Sequence, residues 1–92
     1  MKIIRDSGFS TQLYKILKFI AADKISAARQ FEKELNMKIK NLKDFPRQYR
    51  ASRYFDDEDY RDLIHRGYTI IYKVEKERIV VLEIFKWQNR ET

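Results

Sequence analysis

The stretch Tyr68-Thr69-Ile70-Ile71-Tyr72-Lys73-Val74, followed after a charged connection by Ile79-Val80-Val81-Leu82-Glu83-Ile84-Phe85, decides the fold. Both runs are dominated by β-branched and aromatic residues, which suit a pleated, half-buried surface. The polar residues Glu75-Lys76-Glu77-Arg78 between them predict a hairpin connection. The second run is almost continuously apolar, as in a strand buried on both faces. Just upstream, Tyr60–His65 predicts another strand, with Arg66-Gly67 as the tight turn leading into Tyr68. Side chains alternate along a strand, so Tyr68, Ile70, Tyr72 and Val74 share one face and Thr69, Ile71, Lys73 and Glu75 the other. The second, more polar face is expected to be open to solvent or a partner.

Working outward toward the N-terminus, the periodicity changes. Phe9, Leu13, Ile16, Leu17 and Ile20 recur at steps of three and four, which predicts a helix capped by Ser7 or Ser10. Ile25, Ala28, Phe31, Leu35, Ile39 and Leu42 repeat the pattern, with Asp23 as the expected cap of a second helix. So short a connection predicts a helical hairpin. Phe45-Pro46 ends the second helix, because the residue before Pro is disfavoured in αR. Ile3-Ile4 predicts a short edge strand. Residues 46–60 follow no period and predict a connecting loop, with a short strand near Ser52–Phe55.

The expected architecture is therefore α+β in two layers: a strand, a helical hairpin and three further strands. The sheet is mainly antiparallel, with one face covered by the two helices. Residues 1–92 form a single domain, since 92 residues leave no room for separate cofactor and substrate lobes. The absence of cysteine excludes a disulfide scaffold, a thiolate zinc site and a cysteine nucleophile. One His excludes a multi-histidine metal site, and no cofactor or metal is expected. No apolar run approaches the roughly 20 residues that span a bilayer, and residues 1–6 show no signal-peptide pattern. A soluble, cytoplasmic protein without membrane contact is expected.

The formal charge of +6 points to a polyanion or an acidic protein as partner. It is unevenly placed. Residues 1–45 hold ten basic and five acidic side chains, and residues 46–92 hold ten and nine. The first half relies on eight Lys with helix propensity, whereas the second holds seven Arg, whose planar fork suits phosphate and carboxylate.

The segment Tyr60-Arg61-Asp62-Leu63 … Gly67-Tyr68-Thr69-Ile70-Ile71-Tyr72-Lys73-Val74 … Ile79-Val80-Val81-Leu82-Glu83-Ile84 resembles the RelE/ParE superfamily of bacterial toxins. Their members show an Arg-x-Leu strand, a Gly-Tyr-x-Ile-x-Tyr-x-Val strand, a short turn and an aliphatic strand ending in basic or aromatic residues. The Leu42…Pro46 break after the second helix is also similar, and the likeness covers nearly the whole chain. It implies the toxin of a type II toxin–antitoxin module, held silent by a cognate antitoxin. RelE-like members cleave mRNA in the ribosomal A site, which would make the chain a metal-independent endoribonuclease acting with the ribosome. ParE-like members poison DNA gyrase without nuclease chemistry. A third reading is a homologue that retains antitoxin binding alone.

For RNA cleavage the resemblance implies Arg61, at the Arg-x-Leu position, and Lys86 and Arg90, after the last strand, as catalytic residues. Trp87 would stack an RNA base, and Arg47, Arg50 and Arg53 would follow its backbone. The strand end carries neither His nor Tyr, which leaves Lys86 as the proton shuttle. Each residue has a second reading. Arg61 could form a surface pair with Asp62, and Lys86, Trp87 and Arg90 could be a basic rim. Arg47, Arg50 and Arg53 could pair with the acidic run Asp56–Asp59. His65 at a strand end is read as structural, with catalysis as the alternative, and Tyr68 and Tyr72 as sheet packing.

Overall fold

The computed structural model describes residues 1–86. The two β runs form β3 (Tyr68–Val74) and β4 (Arg78–Lys86), paired antiparallel. The strand before them, β2 (Tyr60–His65), pairs antiparallel with β3. Its two-residue link is made by Arg66 at φ 49° and Gly67 at φ 81°. Two successive positive φ angles match the right-handed twist of a hairpin, and glycine adopts them without steric cost. The N-terminal strand β1 (Lys2–Arg5) adds parallel to β4, giving the order β1-β4-β3-β2.

Between β1 and β2 lie α1 (Ser7–Asp23) and α2 (Ile25–Asn41), joined through Lys24 alone. The caps differ from those expected. Asp6, rather than Ser7 or Ser10, caps α1 and accepts from the Gly8 N–H at 2.9 Å. Asp23 closes α1 instead of opening α2; Lys24 holds that cap position, with no side-chain hydrogen bond. The direct turn from one helix into the next leaves no residue between them to serve as a side-chain cap.

The helices bury Phe9, Leu13, Ala28, Phe31, Leu35 and Ile39 against one face of the sheet. That face presents Leu63, Tyr68, Ile70, Tyr72, Val74, Ile79, Val81 and Ile84. Each large apolar side chain fully buried here contributes roughly 1.5–3 kcal/mol. Ile25, at the head of the second stripe, stays largely exposed. A β-bulge corrects the phase of β4. Ile71 faces Glu83 but Tyr72 faces Val81, so Leu82 is the extra residue. Val81 and Ile84 thus both reach the helical layer although they are three residues apart.

The second sheet face is not open as expected. Thr69 and Ile71 are buried, and so is Asp62 from β2. Residues 50–55 fold over this face: Tyr54 meets Phe85 edge-on at 5.3 Å, and the Arg53 N–H donates to Asp62 Oδ2 at 3.0 Å. The strand expected near Ser52–Phe55 shrinks to one bridge, Ala51 opposite Arg61. Hydrogen bonds from Ser52 N to Tyr60 O and from Asp62 N to Arg50 O flank it. No helix among the described residues is long and apolar enough to cross a membrane.

Candidate functional site

The arginines of the second half gather at the β2 edge, where the connection from α2 returns to the sheet. Arg47 pairs with Asp59 at 2.6 Å and donates to the Glu58 carbonyl at 3.2 Å. Arg61 donates through Nε to the same Glu58 carbonyl at 2.9 Å and through Nη1 to the Tyr49 carbonyl at 3.1 Å. The Tyr72 hydroxyl donates to the Pro46 carbonyl at 2.8 Å, and burial pushes its pKa up to about 12. Arg50 lies 3.7 Å from the buried Asp62 carboxylate. Arg53 lines a shallow groove with Arg50, Tyr54, Ile64 and Thr69. Arg61 and Asp62 point to opposite faces of β2, so the neighbours do not pair with each other. The loop's turn carbonyls need donors, and Arg47, Arg61 and Tyr72 provide them.

This arrangement makes Arg61→Ala destabilising apart from any effect on activity. Two bonds from a charged donor to main-chain carbonyls are lost, which lowers stability by about 1–2 kcal/mol. Lysine lacks the fork and does not restore them. Urea unfolding of both variants measures this; an unchanged midpoint in Arg61→Ala would contradict it.

Lys86 sits elsewhere. It pairs with Tyr68 at the far end of the sheet and places Nζ 5.7 Å above the Tyr68 ring. Arg61 pairs with Tyr72, four residues along β3 from Tyr68. The two are therefore about 13 Å apart along the strands and about 10 Å across them. The structure does not bring them together. Trp87 and Arg90 lie outside the described residues.

His65 pairs with Tyr68 from the other side, at the same end as Lys86. It is buried, packs edge-on against Phe31 at 4.7 Å, and has Nε2 3.1 Å from the Phe31 carbonyl. A carbonyl only accepts, so Nε2 carries the proton and Nδ1 is the free acceptor. Nδ1 is enclosed with no partner among the described residues. A second proton there would be buried without an acceptor. Burial first, and the nearby Lys38 charge second, hold the His65 pKa below 6.5. Arg66 docks the turn beside it through a two-bond pair with Glu34, at 2.7 and 2.9 Å. That pair draws Glu34 to about 2, so Glu34 stays ionised while His65 titrates.

The sign of the pH effect follows. The unfolded chain takes up the histidine proton at higher pH than the folded one, so protons favour unfolding. Stability is expected to hold above pH 6.5 and to fall as pH drops through 6.5 toward the lowered folded value. Urea midpoints measured from pH 7.5 to pH 5 check this, and His65→Leu should flatten that part of the curve.

Lys86 also marks the rim of a groove that sequence reasoning missed. It lies between α1 and the end of β4, has a volume of about 480 Å³, and is lined by Gln12, Lys15, Ile16, Phe19, Ile84 and Lys86 among others. One signal was present in the sequence: Phe19 is a large apolar residue off the Phe9–Ile20 stripe, and it is 74% exposed. Among the described residues no group of three His, Asp or Glu could hold a metal ion.

A family model described as the ParE toxin of the type II toxin–antitoxin system parDE matches residues 3–89. Among solved structures, the chain is similar to one titled as the chromosomal ParDE TA system from P. aeruginosa. That likeness has a TM-score of 0.74 at 17% sequence identity, over 94% of this chain and 95% of the other. No curated protein matches the chain.

Proposed function

The chain belongs to the ParE toxin family of type II toxin–antitoxin systems, and from that premise we propose that it arrests growth by poisoning DNA gyrase through a protein–protein contact. Membership in such a pair also implies a cognate antitoxin. The observation that carries the proposal is the separation of Arg61 from Lys86. Metal-free RNA cleavage needs proton-transfer groups and charge stabilisation converging on one phosphate. Here Arg61 bonds loop carbonyls at one end of the sheet, and Lys86 stands at the other. His65 is enclosed and already bonded through Nε2. Poisoning a protein target requires no such convergence. In this reading Lys86 and the Trp87–Arg90 segment that follows it in sequence contact the target, and Arg47, Arg50 and Arg61 maintain the loop.

Purified toxin added to gyrase supercoiling and cleavage-complex assays tests the proposal. Inhibition at micromolar toxin, with double-strand breaks trapped, is the expected result. The competing reading is ribosome-dependent mRNA cleavage, with Lys86 as proton shuttle and Trp87 stacking a base. It gains if induction places new mRNA 5′ ends within translated messages and gyrase is untouched. Harmless overexpression without antitoxin would favour a homologue that only binds its antitoxin.

A further inference from the structure

β4 runs from Arg78 to Lys86, but β1 accompanies it only from Arg78 to Val81. Beyond Val81 the β1 side of β4 has no neighbouring strand among the described residues. Main-chain groups of an antiparallel strand face alternate sides, residue by residue. The Ile84 N–H identifies the side: it donates to Gln12 Oε1 at 3.1 Å, not to β3. The Ile84 carbonyl and, two residues on, the Lys86 N–H therefore face the same way. Gln12 supplies from a side chain the carbonyl that an added strand would supply from its backbone.

The groove described above opens beside this edge. Ile16, Phe19 and Ile84 give it apolar surface, and Lys15 and Lys86 give it positive charge. No acidic side chain lines it among the described residues. An exposed Phe beside unpaired strand edge is a surface that a partner would cover.

We propose that this groove receives an extended strand of the cognate antitoxin, carrying alternating apolar and acidic side chains. The strand pairs with β4 along Ile84–Lys86, in the space that β1 leaves empty. Its main chain replaces the Gln12 amide, its carboxylates meet Lys15 and Lys86, and an apolar side chain covers Phe19. Strand addition obtains affinity from main-chain hydrogen bonds and selectivity from alternate side chains, and opposite charge speeds the encounter. A second copy of this chain is disfavoured, since each copy carries +6. A nucleic acid would satisfy the lysines but not the alternating donors and acceptors of the edge. The identity of the strand rests on membership in a toxin–antitoxin pair; its mode of binding does not depend on gyrase as the target.

The test uses the full-length protein labelled with nitrogen-15 and a synthetic peptide of eight alternating Val and Glu residues. The peptide should shift the Ile84 and Lys86 amides and slow hydrogen exchange at Lys86. Replacing both lysines, Lys15→Glu with Lys86→Glu, should weaken binding at least about tenfold. Gln12→Ala should leave binding intact or tighten it, because the competing carbonyl is gone. The proposal is overturned if these amides do not move at millimolar peptide. It is equally overturned if a version with a central proline binds as well, since charge alone would then explain binding. Matching shifts with a single-stranded oligonucleotide would assign the groove to nucleic acid and also overturn it. A negative gyrase assay bears on the target alone and leaves these readouts unaffected.

Discussion

Phe31→Ala should lower the melting temperature by at least about 12 °C, the largest loss expected from one side chain here. Phe31 is buried on α2 and meets two rings edge-on: His65 at 4.7 Å and Tyr68 at 5.4 Å. Truncating a buried Phe to Ala typically removes 3–5 kcal/mol through lost transfer energy and the cavity left behind. In a domain of this size each kcal/mol corresponds to roughly 4–8 °C. The cavity would open beside His65 Nδ1 and allow water to reach it. The same variant should therefore also weaken the dependence of stability on pH between 7.5 and 5. Thermal unfolding followed by circular dichroism at both pH values measures the two effects together. A fall of only a few degrees would mean that α2 closes onto the sheet without this ring.

Asp62→Ala should release the 50–55 segment from the second sheet face. Asp62 is fully buried, accepts from the Arg53 N–H and holds Arg50 at 3.7 Å. Its removal leaves a part-buried N–H without an acceptor, for a loss of about 1–3 kcal/mol. Asp62→Asn should fall between the variant and the parent. Its amide oxygen still accepts from Arg53, but its NH₂ group occupies the place of Oδ1, which has no partner among the described residues. Hydrogen exchange gives the sharper readout: Arg53 and Tyr54 amides should exchange at least about tenfold faster in Asp62→Ala, while those of Ile70 and Ile84 hardly change. Uniformly faster exchange would show that Asp62 supports the whole fold and not this segment.

The strands were legible because their residues carry the reason for their position. Tyr60–His65 and Tyr68–Val74 match the observed strands residue for residue, and Arg66-Gly67 forms the turn between them. The helical stripes were equally plain, since Phe9, Leu13, Phe31, Leu35 and Ile39 all reach the core. The path of residues 46–59 was not legible. It is set by long-range bonds, Arg47 to Glu58 and Asp59, Arg61 to Tyr49, Tyr72 to Pro46, and none of these leaves a period in the sequence. For the same reason the polar appearance of Thr69, Ile71 and Lys73 misled, because a buried Asp on the neighbouring strand draws the loop across them. The groove escaped notice because it depends on where β1 stops relative to β4, which no local pattern states.

The parallel pairing of β1 with β4 joins Lys2 to Arg78 and Ile4 to Val80. The first strand to leave the ribosome therefore waits for nearly the last. Contacts so distant in sequence close slowly, since the intervening chain must be ordered first. Until β4 emerges, β1 has no strand beside it and the helical hairpin has an incomplete sheet to cover. During that interval the nascent chain exposes apolar surface without a finished toxin to act. The order of synthesis thus gives the cell a period in which the unfinished chain can be captured or degraded before it becomes harmful.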